Sequence, residues 1–129
     1  MHRRQFLATT SAFTAATLIP FRGKANTSVT PIKTGFSKTS LMGPGAPMTD
    51  VMAYDAQVPG PTLRIPQGQR VAFRLTNTLD KPTSVHWHGI RLENAMDGVP
   101  GLTQDPIEPG ESFDYSFVAP DAGTYWYHS

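Results

Sequence analysis

Three features of the sequence predict an all-β fold, a Greek-key sandwich or barrel. Gln69–Asn77 alternates with a period of two, Val71, Phe73 and Leu75 facing one way and Arg70, Arg74 and Thr76 the other. Ser112–Val118 does the same, with Phe113, Tyr115 and Phe117 on one face. No stretch keeps a 3.6-residue period over three turns, so helix content is expected to be small. Finally, 12 prolines and 11 glycines punctuate the short apolar runs, as the turns of a sandwich require. At 129 residues the chain holds one domain at most.

The first residues read as an address. Met1-His2-Arg3-Arg4-Gln5-Phe6-Leu7 pairs two arginines with Phe-Leu, in the manner of a bacterial twin-arginine export signal. Phe6–Ile19 is mildly apolar, too short to span a membrane as a helix, and ends at Pro20. Gly23-Lys24-Ala25 offers small residues for cleavage, so residues 1–25 are assigned as a twin-arginine signal peptide, and the expected location is the periplasm. The alternative is a merely basic amino terminus. No transmembrane segment is expected, and the export machinery is the partner this segment implies.

Asn26 to about Ser37 is polar and broken by Pro31 and Gly35, which reads as a leader, so residues 26–50 are taken as leader and first strand region. Met42-Gly43-Pro44-Gly45-Ala46-Pro47 is a loop by composition, and a short strand is expected around Thr49–Tyr54. The prolines of Val58-Pro59-Gly60-Pro61 exclude a helix or central strand there. Pro66-Gln67-Gly68 turns into the alternating strand at 69–77, and Leu79-Asp80-Lys81-Pro82 turns out of it. Thr83–Arg91 is the next strand. Glu93–Gly110, with three glycines, three prolines and little periodicity, is expected to be a long structured loop. After Ser112–Val118, Pro120-Asp121-Ala122-Gly123 turns into a last strand.

Composition closes off several function classes. A formal net charge of +1 with no basic stripe gives no case for nucleic-acid binding. The absence of cysteine excludes disulfides, thiol nucleophiles, cysteine-based zinc sites and a blue-copper electron-transfer centre within this chain. The five methionines form no methionine-rich tract.

The chemistry concentrates in Ser84-Val85-His86-Trp87-His88-Gly89 and Gly123-Thr124-Tyr125-Trp126-Tyr127-His128-Ser129. On a strand, His86 and His88 share a face about 6.5–7 Å apart while Trp87 points away. Trp126 and His128 share a face, and Tyr125 and Tyr127 take the other. If the two strands are neighbours, three imidazoles gather on one patch and form a metal site. A donor set of imidazoles alone suits copper, zinc, iron or nickel, and spacing does not choose among them.

The same words carry a resemblance. Val58-Pro59-Gly60-Pro61-Thr62, His86-Trp87-His88-Gly89, Asp97-Gly98, Thr103-Gln104, Pro106-Ile107, Pro109-Gly110 and Gly123-Thr124-Tyr125-Trp126-Tyr127-His128-Ser129, in this order from about Tyr54 to Ser129, resemble the amino-terminal cupredoxin domain of the multicopper oxidases, the laccase-like enzymes. The resemblance implies a cupredoxin-like sandwich over residues 51–129, incomplete at the carboxy terminus. In the family another histidine and the last strands follow this serine, so the chain is expected to be a fragment.

It also implies a function. This domain contributes half the ligands of a copper cluster that reduces dioxygen to water while a small-molecule or metal-ion reductant is oxidised elsewhere in the protein. Position by position, His86 would hold the type 2 copper, and His88 and His128 would belong to the type 3 pair of the trinuclear cluster. The other half would come from carboxy-terminal cupredoxin domains that this chain lacks, so the fragment alone is expected to be inactive. Asp97, nine residues after His88, falls where the family has an acid close to the cluster, a catalytic proton relay. Asp-Gly is also a common turn pair. Asp105 stands where some eukaryotic members have a cysteine. Two other classes compete: a three-histidine zinc centre with an open position for water, and a non-catalytic cupredoxin-like copper-binding or scaffold protein of the cell envelope.

Overall fold

The computed structural model describes residues 28–129, and the segment assigned as an export signal lies outside the described residues. Six strands carry the fold: β1 (Val29–Thr39), β2 (Thr49–Tyr54), β3 (Arg70–Asn77), β4 (His86–His88), β5 (Ser112–Val118) and β6 (Trp126–His128). The one helical element among the described residues is a 3₁₀ turn at Asn94–Met96. No helix among them is long and apolar enough to cross a membrane.

The two alternating segments pair because their apolar faces coincide. β3 and β5 run antiparallel with Val71 opposite Phe117, Phe73 opposite Tyr115 and Leu75 opposite Phe113. This stacks like against like on one face of a sheet ordered β2-β1-β3-β5. The opposite face is polar, with a bidentate Arg74–Asp114 pair at 2.6 Å and a Thr76–Ser112 hydroxyl pair at 2.9 Å. β4 and β6 form a separate two-stranded antiparallel sheet. It lies on the apolar face of the larger one, and Trp87 joins the two. Trp87 is 2% exposed, with ring centroids 5.0 Å from Phe73, 5.1 Å from Phe117 and 5.7 Å from Tyr115. Ile32, Leu75, Val85 and Ile107 complete this core.

The stretch expected to be a leader is instead the long strand β1, 11 residues from Val29 to Thr39. Residue 51 is therefore no boundary of the fold. β1 runs parallel to β3 over Val29–Thr34 and antiparallel to β2 over Thr34–Thr39. Two residues misled the reading. Pro31 sits where β2 does not reach, so one side of the strand is an edge there and its missing N–H costs no ladder bond. Gly35 marks a close approach, since a Cβ there would meet the Thr78 hydroxyl at 2.9 Å. The alternation survives beneath these signals: Ile32 and Thr34 are buried and Lys33 is exposed.

Glu93–Gly110 is the structured loop expected. Bridges between Thr83 and Ile107 and between Pro100 and Gln104 fix it. The buried Asn77 organises its far end. Its Nδ2 donates to Lys81 O at 2.8 Å and Ile107 O at 2.9 Å, and its Oδ1 accepts from the Thr34 hydroxyl and the Leu79 N–H, both at 3.0 Å.

Candidate metal centre

Strand alternation sorts the side chains of β4 as expected, with Trp87 in the core and His86 and His88 on the other face. The register of β4 with β6 sets His86 opposite His128, Trp87 opposite Tyr127 and His88 opposite Trp126. Three imidazoles thus share one patch, with centroids 5.5 Å apart for His86–His88, 5.4 Å for His86–His128 and 5.5 Å for His88–His128. One ring nitrogen of each lies within 4.8 Å of the others.

Nδ1 of His88 and Nε2 of His128 are 3.3 Å apart. Two nitrogens on one cation at about 2.0–2.1 Å, meeting at a tetrahedral angle, are separated by about 3.3–3.4 Å. This pair therefore fits one first-row transition-metal ion, with His86 to the side. Indole stacking fixes the ring planes of the pair. Trp126 lies 4.1 Å from His128 at 26° and 4.7 Å from His88 at 34°. Yet Trp126 is 57% exposed, so this side of the patch is open to solvent.

Behind the patch three phenols hold the strands. Tyr54 donates to Ser84 O at 2.9 Å, Tyr127 to Pro61 O at 2.8 Å, and the Tyr115 oxygen accepts the Val85 N–H at 3.2 Å. Burial pushes all three phenols above their ordinary values, helped at Tyr54 by Tyr115 and Tyr127 and at Tyr127 by Asp55. They stay neutral and keep their protons. At the rim, Arg91 grips Asp121 through Nε at 2.8 Å and Nη2 at 3.0 Å, tying the exit of β4 to the approach of β6.

Asp97 is brought to the same place, beside His86. Its carboxylate Oδ2 is 3.5 Å from His86 Nδ1, but its backbone carbonyl is closer, at 2.7 Å. A carbonyl only accepts, so His86 Nδ1 carries the proton and Nε2 is left with a free lone pair. That is the state in which an imidazole binds a metal, oriented by a carbonyl behind it. The sequence reading missed the carbonyl contact, the Trp126 stack and Met96, whose Sδ accepts the Ser116 N–H at 3.2 Å. The Trp126 stack had a sequence signal, its place on the face of His128, and the carbonyl contact left only Gly98 as a trace.

The chain matches the family model described as "Multicopper oxidase" over residues 37–129. It is 51% identical over 82 residues to Multicopper oxidase MCE of Talaromyces pinophilus, covering 62% of this chain and 14% of that protein. It is 53% identical over 78 residues to Copper resistance protein A of Pseudomonas syringae pv. tomato, covering 60% of this chain and 13% of that one. Among solved structures, Lac15 from a marine microbial metagenome superposes with a TM-score of 0.75 at 44% identity, over 78% of this chain and 27% of that one. The multi-copper oxidase from Pseudomonas thermotolerans gives 0.73 at 45%, over 79% and 24%. The chain spans about a seventh of the length of these two curated relatives. With its all-β, cupredoxin-like sandwich, it belongs to the multicopper oxidase family of copper oxidoreductases.

Proposed function

We propose that this chain is the amino-terminal part of an exported bacterial multicopper oxidase and supplies half of the histidine ligands of its trinuclear copper cluster. The observation that carries the reading is the convergence of His86, His88 and His128 on one patch, with the His88 and His128 nitrogens spaced as two ligands of one ion. In this reading the resemblance to the family divides the roles: His88 and His128 would belong to the type 3 pair, and His86, held from behind by Asp97, would take the type 2 copper. The open side next to Trp126 is where further cupredoxin domains would close over the patch and bring the remaining ligands.

Bound copper would supply the electrons that reduce dioxygen to water, drawn from a small-molecule or metal-ion reductant oxidised elsewhere in the protein. The contribution of this chain is to orient imidazoles and handle protons. Trp126 and Trp87 stiffen the two sides of the ligand strands, so the rings keep their positions. The Asp97 carboxylate, half-buried with Oδ2 3.5 Å from His86 Nδ1, would serve as the acid that delivers protons during oxygen reduction. The paired arginines Arg3-Arg4 support export by the twin-arginine route to the periplasm. That route carries folded proteins and suits an enzyme assembled around its metal.

The test is copper titration of the metal-free, full-length protein, with copper content, the spectrum of the copper and oxygen uptake followed together. Oxygen uptake should rise only as type 2 and type 3 sites fill. A protein that takes up no copper, or whose turnover ignores copper content, overturns the reading.

A further inference from the structure

We propose that Met96 and Gly98 are positioning residues that clamp the Asp97 carbonyl onto His86 and so fix which nitrogen of His86 faces the metal patch. This rests on the reading of His86 as a metal ligand. The 2.7 Å contact to Asp97 O makes Nδ1 the protonated nitrogen, and it lasts only while the loop holds that carbonyl in place. Asp97 lies between two anchors, each one residue away.

On one side, the Met96 thioether accepts the Ser116 N–H from β5, the last strand of the four-stranded sheet. The 3₁₀ turn is closed by Met96 N–H to Glu93 O at 2.8 Å and Asp97 N–H to Asn94 O at 3.2 Å. On the other side, Gly98 lies flat on the peptide just before His86. A Cβ at Gly98 would stand 1.7 Å from Val85 O, 2.6 Å from Val85 C and 3.2 Å from His86 Cα. Its φ of +80° also lies in the left-handed region that favours glycine. Beyond it, the Thr103 hydroxyl accepts the Val99 N–H at 2.8 Å. One anchor thus references the carbonyl to the large sheet and the other to the ligand strand itself, so the His86 tautomer depends on both sheets keeping their relation.

A space-filling role for Met96 predicts something different. Met96→Leu keeps most of the volume and removes the acceptor, whereas Met96→Gln restores an acceptor at similar reach. The experiment is nitrogen NMR of histidine-labelled, metal-free full-length protein, reading the His86 tautomer at a pH where imidazoles are neutral. Copper affinity of the His86 site is measured alongside. Wild type should show Nδ1–H. Met96→Leu and Gly98→Ala should show mixed tautomers and about 10–100-fold weaker copper binding at that site, the usual cost of losing a partner behind a ligand. Met96→Gln should recover the wild-type tautomer. If Gly98→Ala does not fold, the leucine and glutamine variants decide the matter alone. An unchanged Nδ1–H tautomer in Met96→Leu overturns the clamp. Wild type that shows the tautomer yet binds no copper overturns the ligand role of His86 and leaves the clamp standing.

Discussion

Asn77→Ala is expected to cost about 3–4 kcal/mol of stability, far more than an ordinary polar-to-alanine change. The side chain is fully buried and makes four hydrogen bonds. Two partners recover in part when it is removed. Ile107 O keeps the Thr83 N–H at 3.1 Å, and the Thr34 hydroxyl has Thr76 O at 3.5 Å. Leu79 N–H is orphaned, at about 1–3 kcal/mol, and the other three bonds are lost or weakened at about 0.5–1.5 kcal/mol each. Asn77→Asp is the sharper probe. It keeps the shape and Oδ1, but turns a second carboxylate oxygen on the carbonyls of Lys81 and Ile107, so it should cost at least as much as alanine. Urea unfolding reads both; with a slope of about 1–3 kcal/mol per molar, the alanine midpoint falls by roughly 1–4 M. Because Ile107 pairs with Thr83, three residues before His86, the ligand strand should loosen as well. A loss below about 1 kcal/mol, or an aspartate milder than the alanine, would refute the reasoning.

Four further outcomes are expected. Asp97→Asn should keep its copper, because the backbone carbonyl that orients His86 remains, while oxygen reduction slows by roughly 10²–10⁴-fold; copper content measured beside turnover decides between a proton carrier and a turn residue. His86→Ala should deplete the type 2 copper preferentially, and His88→Ala or His128→Ala the coupled pair, as read by paramagnetic resonance and metal analysis. Arg3→Lys with Arg4→Lys should leave the full-length protein in the cytoplasm, and unchanged periplasmic recovery would show the address to be misread. Because the Tyr54, Tyr115 and Tyr127 phenols are raised in the fold, the unfolded chain ionises first. Their contribution is fully present below about pH 10 and fades as pH rises beyond it, so unfolding midpoints measured from pH 8 to 11 should fall at the alkaline end.

What the sequence revealed depended on how local the determining physics is. Alternation in β3 and β5 is a property of single strands facing a core, and their bounds and inward faces were legible within a residue. The shared face of His86 and His88 was legible because side-chain parity on a strand needs no partner, whereas the approach of His128 depended on β4 and β6 pairing. β1 was not legible, because Pro31 and Gly35 signal a turn in isolation. Only the reach of β2 and the packing of Thr78 show why a strand tolerates them. The Asp97 carbonyl was equally hidden. Main-chain contacts leave no mark on residue type, and the one trace, Gly98, reads in sequence as half of an ordinary turn. Met96 looked like any loop methionine, since nothing local says that a sheet edge lies beside it.

The ligand strands are three residues each, hydrogen-bonded as strands only to each other, yet His88 and His128 stand 40 residues apart along the chain. An ion held between them is therefore also a cross-link. On a chain-entropy account, closing a loop of that length removes roughly 4 kcal/mol of freedom from the unfolded chain, comparable to a disulfide, in a chain that has no cysteine. The metal patch would then act as the staple of its own sheet, and the last strand to dock would be the one that waits for the ion.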